Sequence, residues 1–205
     1  MSDPEWQSCT RLWQMWQILT RTCRAISSRK YRLFVTGCCR QVWPAMKEAR
    51  CRRAVEVAER YADGRATPEE LEAASAALPW DHAARLAAGP SVQFLCCLEA
   101  RRLAVRLAKR DPRDRAAMEA AELPQVELLR DLVGSPLCPP ASRPFPPHVR
   151  GLAGACYAAF PEVRSDFLIL ADALEDLGEG EAADHCRQPS HARGCHIIDW
   201  ILGKE

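Results

Sequence analysis

Apolar residues along this chain recur at the spacing of helical turns, and nowhere alternate at period two over a strand's length. Leu12, Met15, Trp16 and Leu19 share one face near the N-terminus, with Trp6 and Trp13 beside them. That face suits a helix docked on a core; the alternative is a helix lying in a membrane interface. Tyr31, Phe34, Val35, Cys38 and Val42 make the buried stripe of a helix over 29–46, widened by Cys39 and Trp43, with Pro44 bending its end. Ala54, Val55, Ala58 and Tyr61 carry the pattern over 51–62, stopped by Asp63 and Gly64. Thr67-Pro68-Glu69-Glu70 then reads as a helix start: Thr67 caps, Pro68 takes the first helical position and Glu70 completes a capping box. A short helix over 81–88 and a long one over 91–110, capped by Ser91 and carrying Phe94, Leu95, Leu98 and Val105, follow. The pattern restarts after Asp111-Pro112, is broken by Pro124, and finishes with Leu128, Leu129, Leu132 and Val133 before Gly134.

Residues 135–147 are proline-rich and have no period, which suits an ordered connector or a polyproline stretch; the connector is preferred because the helices on both sides must still pack together. Leu152, Cys156 and Ala159 mark a helix over 149–160. The clearest stripe is Phe167, Leu170, Ala171, Leu174 and Leu177, with Asp172, Glu175 and Asp176 off it. Ser165 or Asp166 caps its start, and Gly178 suits a left-handed residue after its end. A polar helix over 181–187, a reversal at Pro189-Ser190, and a final amphipathic stretch to Gly203 complete the chain, with Ile197, Ile198 and Ile201 inward. The expected fold is all-α, an irregular bundle of roughly eight to ten helices. Its expected organisation is an N-terminal block over 1–134, the connector over 135–147, and a C-terminal block over 148–205 packed on the first as one domain.

At 205 residues the chain is long enough to bury a sizeable core. Its net charge of +1 gives no overall basic signature, but the distribution is uneven. Met1 to Arg53 holds eleven Lys/Arg against three Asp/Glu, and Glu162 to Asp184 holds eight Asp/Glu against one Arg. The two ends therefore suit one another, or a basic face suits an acidic partner. Arg101, Arg102, Arg106, Lys109, Arg110, Arg113 and Arg115 form a basic stretch, but Glu99, Asp111 and Asp114 interleave it and no aromatics stand ready to stack. That argues for a solvated helix surface over a nucleic-acid face. The N-terminus shows no secretory signal and no run is long enough to span a membrane, so the eleven cysteines read as reduced thiols in a cytoplasmic setting.

Two blocks carry a family resemblance. The first is RKYRLFVTGCCRQVW followed by RRAVEVAERYADGRATPEELEAA; the second is LLRDLVGSPLCPP followed by LILADALEDLG, HCR, HARGC and LGKE. Together they resemble a helical family of planctomycete bacteria that has no assigned activity and joins its blocks through an Ala/Arg-rich middle. The resemblance implies a helical fold and a bacterial, cytosolic setting. The middle here, 79–123, departs from that pattern in its Pro and Gly content. LADALEDLG is also similar to a short module that accompanies leucine-rich repeats in the same bacteria, which points to protein interaction.

The densest chemistry lies near the C-terminus. His185, Cys186, His191 and Cys195 are zinc-capable residues offered from a helix end, a turn and a following helix. Cys38 and Cys39 are possible remote ligands. The more ordinary reading makes the cysteines core thiols and has the histidines satisfy carbonyls. A cysteine-nucleophile enzyme would use Cys186 or Cys195 with His191 or His185 as base and Asp184 or Asp199 as orienter, but no nucleophile motif is present. The expectation is a non-catalytic bacterial interaction or scaffold module with a protein partner. The alternative is a zinc-stabilised regulatory or nucleic-acid-binding protein; a cysteine-dependent enzyme comes last.

Overall fold

The computed structural model describes residues 3–21, 26–78, 83–89, 95–135, 143–160 and 165–204. The described residues are helical with no strand. In order they form α1 (Asp3–Ser8), α2 (Leu12–Arg21), α3 (Ser28–Gln41), a 3-10 turn (Trp43–Ala45), α4 (Ala49–Ala62), α5 (Pro68–Ala76), α6 (Ala83–Ala88) and α7 (Leu95–Leu107). They continue with α8 (Arg115–Ala120), α9 (Leu123–Val133), α10 (Pro147–Ala159), α11 (Ser165–Glu175), α12 (Gly180–Cys186) and α13 (His196–Leu202). The all-α expectation holds. The segments outnumber the eight to ten expected because six-residue pieces such as α1, α6 and α8 stand as separate helices. Among the described residues no helix is long and apolar enough to cross a membrane.

The chain divides into two compact units, Met1–Leu129 and Arg130–Glu205. The division falls inside α9, ahead of the connector; residues 136–142 of that connector lie outside the described residues, as do Ser91 and Phe94.

In the first unit α3 packs against α4, α6 and α7. Most of the stripe read from the sequence is buried: Phe34, Val35, Cys38, Cys39 and Val42 are all within 2% of full burial, while Tyr31 and Trp43 are half-buried. Leu12, Met15 and Leu19 dock α2 into the core, while Trp13 stays 60% exposed. The first helix of that region ends at Ser8 and a new one starts at Leu12, whose amide donates to Glu122 Oε1 at 2.8 Å. A carboxylate from far along the chain thus satisfies one of the free amides at the start of α2. Pro44 sits in the 3-10 turn, so α3 stops at Gln41. Pro124 lies in the first turn of α9, where its missing N–H has no helical partner to lose, so it opens that helix and does not break it. The Thr67 capping box forms as read: Glu70 N donates to Thr67 Oγ1 at 3.2 Å and Thr67 N to Glu70 Oε2 at 2.9 Å.

The basic stretch around α7 and α8 is largely spoken for. Arg101 pairs with Glu122, Arg102 with Glu99, Arg110 with Asp114 and Arg115 with Glu119. Arg32, deep in the core, donates to the carbonyls of Ala87 and Gly89 at the end of α6. Arg40 clamps Glu59 through two nitrogens and lies 3.9 Å over the Trp43 ring.

In the second unit α10 packs on α11 and α13, and α12 packs on α11 and α13. Val149, Ala153, Cys156, Phe167, Leu170, Leu174, Ala183, Cys186, Cys195 and Ile198 form its core. Asp172, Glu175 and Asp176 face solvent, and Arg187 pairs with the first two.

A candidate metal centre

Each side chain of the C-terminal cluster reaches its place through a local rule. His185 stands in the last turn of α12. The chain then turns through 187–190 to His191, and a second turn at Arg193-Gly194 aims Cys195 at the start of α13. Gly194 has φ +87°, a conformation that a side chain at this point would resist. The fourth member comes from upstream: Asp131, in the last turn of α9.

The ligand-type atoms of Asp131, His185, His191 and Cys195 all lie within 4.8 Å of one another. Asp131 Oδ1 is 3.1 Å from His185 Nε2 and 3.1 Å from His191 Nδ1, and His185 Nε2 is 3.2 Å from Cys195 Sγ. Ligand bonds of about 2.0–2.3 Å in a tetrahedron separate neighbouring ligands by roughly 3.3–3.8 Å, so the cluster has the size of a zinc cage. Cys195 is fully buried, His191 is 4% exposed at its side chain, and Asp131 and His185 are 10% and 12% exposed.

The surroundings fix the donors. The His191 ring stacks on Phe167 of α11 at 4.0 Å between centroids and 7° between planes. Its Nε2 lies 3.3 Å from the Cys186 carbonyl. The Ala192 amide donates to Asp131 Oδ2 at 2.7 Å, and His196 Nδ1 lies 2.8 Å from the Asp131 carbonyl oxygen, suited to donate to it. Gly134, at φ +66°, ends α9 directly beneath the His196 imidazole, where an added Cβ would come within 2.5 Å of His196 Cδ2. Burial works against the Asp131 carboxylate, but hydrogen bonds from His185 and His191 outweigh it and hold the group well below the usual carboxylate range. Burial, then the neighbouring Asp131, pushes the Cys195 thiol well up, while the amides of Ile198 and Ile197 pull the other way.

Three of the four expected ligands converge: His185, His191 and Cys195. Cys186 does not. One residue further along α12, it points about 100° round the helix into the core, where burial first and Cys156 next push its thiol up to about 12. Its role at the site is its backbone carbonyl. Cys38 and Cys39, the remote candidates, belong to the Met1–Leu129 unit, where their sulfurs meet Cys97 and Cys96. Asp131 was missed: it is a lone acid in the apolar run Leu128-Leu129-Arg130-Asp131-Leu132-Val133, and that interruption of a buried stripe was its only signal.

The geometry also bears on a cysteine-nucleophile reading. A catalytic histidine divides its ring nitrogens, one toward the nucleophile and the other toward the orienting acid. Here Asp131 and Cys195 both face Nε2 of His185. Convergence on one nitrogen suits a shared central ion and leaves no relay.

No family model, curated protein or solved structure matches this chain.

Proposed function

We propose that this chain is a non-catalytic helical module whose Arg130–Glu205 unit is held in shape by one structural zinc ion, bound by Asp131, His185, His191 and Cys195. The observation that carries the reading is the convergence of four zinc-type donors within 4.8 Å, drawn from two helices, a loop and the residue that caps a third helix. Four protein ligands fill a tetrahedron and leave no open position for water or substrate, which is the mark of a structural site. The hydrogen bonding of His191 fits the reading. Its Nδ1 faces a carboxylate oxygen and its Nε2 a carbonyl oxygen, which an imidazolium serves with two N–H groups and a neutral ring serves with an ion on one nitrogen. With the ion on Nδ1, the Nε2–H donates to Cys186, the usual outer-shell arrangement for a ligating histidine.

The partner is a protein, and the setting is the bacterial cytoplasm. The family resemblance and the buried cysteines support this, and Leu168 and Ile169, exposed on α11, supply apolar surface for a contact. Nucleic acid is disfavoured because Arg101, Arg102, Arg110 and Arg115, four of the seven basic residues in and around α7 and α8, pair with neighbouring acids.

Elemental analysis of untagged protein purified without chelator tests the reading. About one zinc per chain is expected. Asp131→Asn and Cys195→Ala should lower retained zinc at least tenfold, while Cys186→Ala should leave it in place. A chain that neither retains nor takes up zinc, or that loses it equally with Cys186→Ala, overturns the proposal.

A further inference from the structure

Cys38 and Cys39 on α3 face Cys97 and Cys96 on α7, with Cys38 Sγ 3.9 Å from Cys97 Sγ and Cys39 Sγ 3.7 Å from Cys96 Sγ. All four residues are 0% exposed. The pairing crosses in antiparallel register, so the helices bring two dithiols side by side. We propose that these four cysteines form an all-sulfur binding site for soft, thiophilic monovalent cations of the cuprous class, one ion per dithiol.

Magnitudes decide between this and the alternatives. Closing either pair into a disulfide would require the sulfurs to approach from 3.7–3.9 Å to about 2.05 Å, across two packed helices. An ion held by two sulfurs at about 2.3 Å in a line spans roughly 4.6 Å between them, so each pair need open by less than about 1 Å to take one, against a closure of about 1.7 Å for a disulfide. The donor set selects the metal: thiolate without carboxylate or imidazole suits soft ions over hard ones. The sulfurs meet as two pairs, which suits ions content with few ligands and not a single tetrahedral zinc.

The surroundings agree. Two thiolates and one monovalent cation leave a net negative charge; burial first and Cys97 next hold the Cys38 thiol well above its ordinary range, so the ion must displace the proton, with the nearby Arg101 pulling toward the thiolate. Gln125, 2% exposed, holds the Cys97 carbonyl at 2.8 Å through Nε2, while its own Oε1 and the Arg101 Nε are buried without a hydrogen-bond partner. Before binding, the Cys96 thiol rests against the Ala83 and Val35 carbonyls. Binding balances simply: each ion joins two sulfurs, forming two metal–sulfur bonds and releasing two protons to solvent, with no change of oxidation state.

The test uses the full-length chain, reduced and anaerobic, challenged with cuprous ion held by a colorimetric chelator. Wild type should take two equivalents from the chelator. Cys38→Ala/Cys97→Ala and Cys39→Ala/Cys96→Ala should each lose one, and Cys195→Ala should lose none. Copper-edge X-ray absorption on the wild type, which needs no variant to fold, should read sulfur-only ligation. No uptake, nitrogen in the copper shell, uptake abolished by Cys195→Ala, or a mass two units lighter per pair from disulfide closure would each overturn the proposal. It does not rest on the zinc reading: a chain that holds zinc yet refuses cuprous ion defeats this site alone.

Discussion

His191 is fixed on three sides, by the Phe167 ring, the Cys186 carbonyl and the Asp131 carboxylate. His191→Phe keeps a ring over Phe167 but removes the partner of the Cys186 carbonyl and one of the two histidine contacts of Asp131 Oδ1. We expect it to cost about 1–3 kcal/mol in urea unfolding and to abolish zinc retention. A variant that keeps both its stability and its metal would mean that the ring only packs. Gly134 makes a second, sharper test. Gly134→Ala forces an L residue to φ +66° and drives a Cβ into the His196 ring, whereas Gly178→Ala at φ +78° meets nothing within 4 Å. Gly178→Ala should cost about 1 kcal/mol from strain alone. Gly134→Ala should cost more, by about 1–3 kcal/mol, because His196 must move. At this scale the site was only partly legible. His185, His191 and Cys195 fall within eleven residues, so short-range spacing revealed them. Asp131 lies 54 residues before His185, and only the fold brings it in. Cys186 was included because sequence adjacency cannot show that a helix turns successive side chains apart.

The helices were legible where an apolar stripe met a cap, as α3, α4, α5 and α11 show. They were less legible where the partner that ends or starts them is remote. Nothing near Leu12 in sequence announces that Glu122 will receive its amide. Four helix ends share one closure, an amide bonding to the carbonyl five residues back: Arg65 to Arg60, Arg110 to Val105, Glu179 to Leu174 and Lys204 to Asp199. The left-handed residue just before the donor is Gly64, Lys109, Gly178 and Gly203 in turn. Lys109, at φ +54°, is the exception that bears a side chain. Lys109→Gly should therefore stabilise the protein, by about 0.5–1 kcal/mol, read as a higher urea midpoint with an unchanged slope. Destabilisation would show that its side chain matters more than its backbone strain. Thr67→Ala removes half of a capping box and should cost about 1 kcal/mol.

The described cysteines are buried, in both units. Low dielectric disfavours a thiolate, and burial pushes Cys156 up to about 11 and Cys186 up to about 12, with Asp166 and Cys156 adding to the respective effects. An unfolded chain ionises the same thiols near about 8.5. Above that pH the unfolded state binds fewer protons than the native state, so stability falls as pH rises. This contribution is fully present below about 8.5 and is lost progressively toward 11–12. The acid side has the opposite sign. Hydrogen bonds hold Asp131 below the usual carboxylate range, so its contribution is present above about 4 and declines as pH falls further. Urea midpoints measured with chelator and reductant, so that neither metal–thiolate bonds nor disulfides intervene, should therefore trace a plateau near neutrality with a fall on each side. Cys156→Ala/Cys186→Ala should make the alkaline limb shallower, the raised Cys38, Cys96 and Cys195 thiols keeping the rest, and leave the acid limb; Asp131→Asn should make the acid limb shallower and leave the alkaline one. An alkaline limb unchanged in the double cysteine variant would place its cause in other groups and overturn the assignment. With zinc added back, the acid limb should steepen, because Asp131, both histidines and Cys195 must all be proton-free to hold the ion and falling pH competes at each.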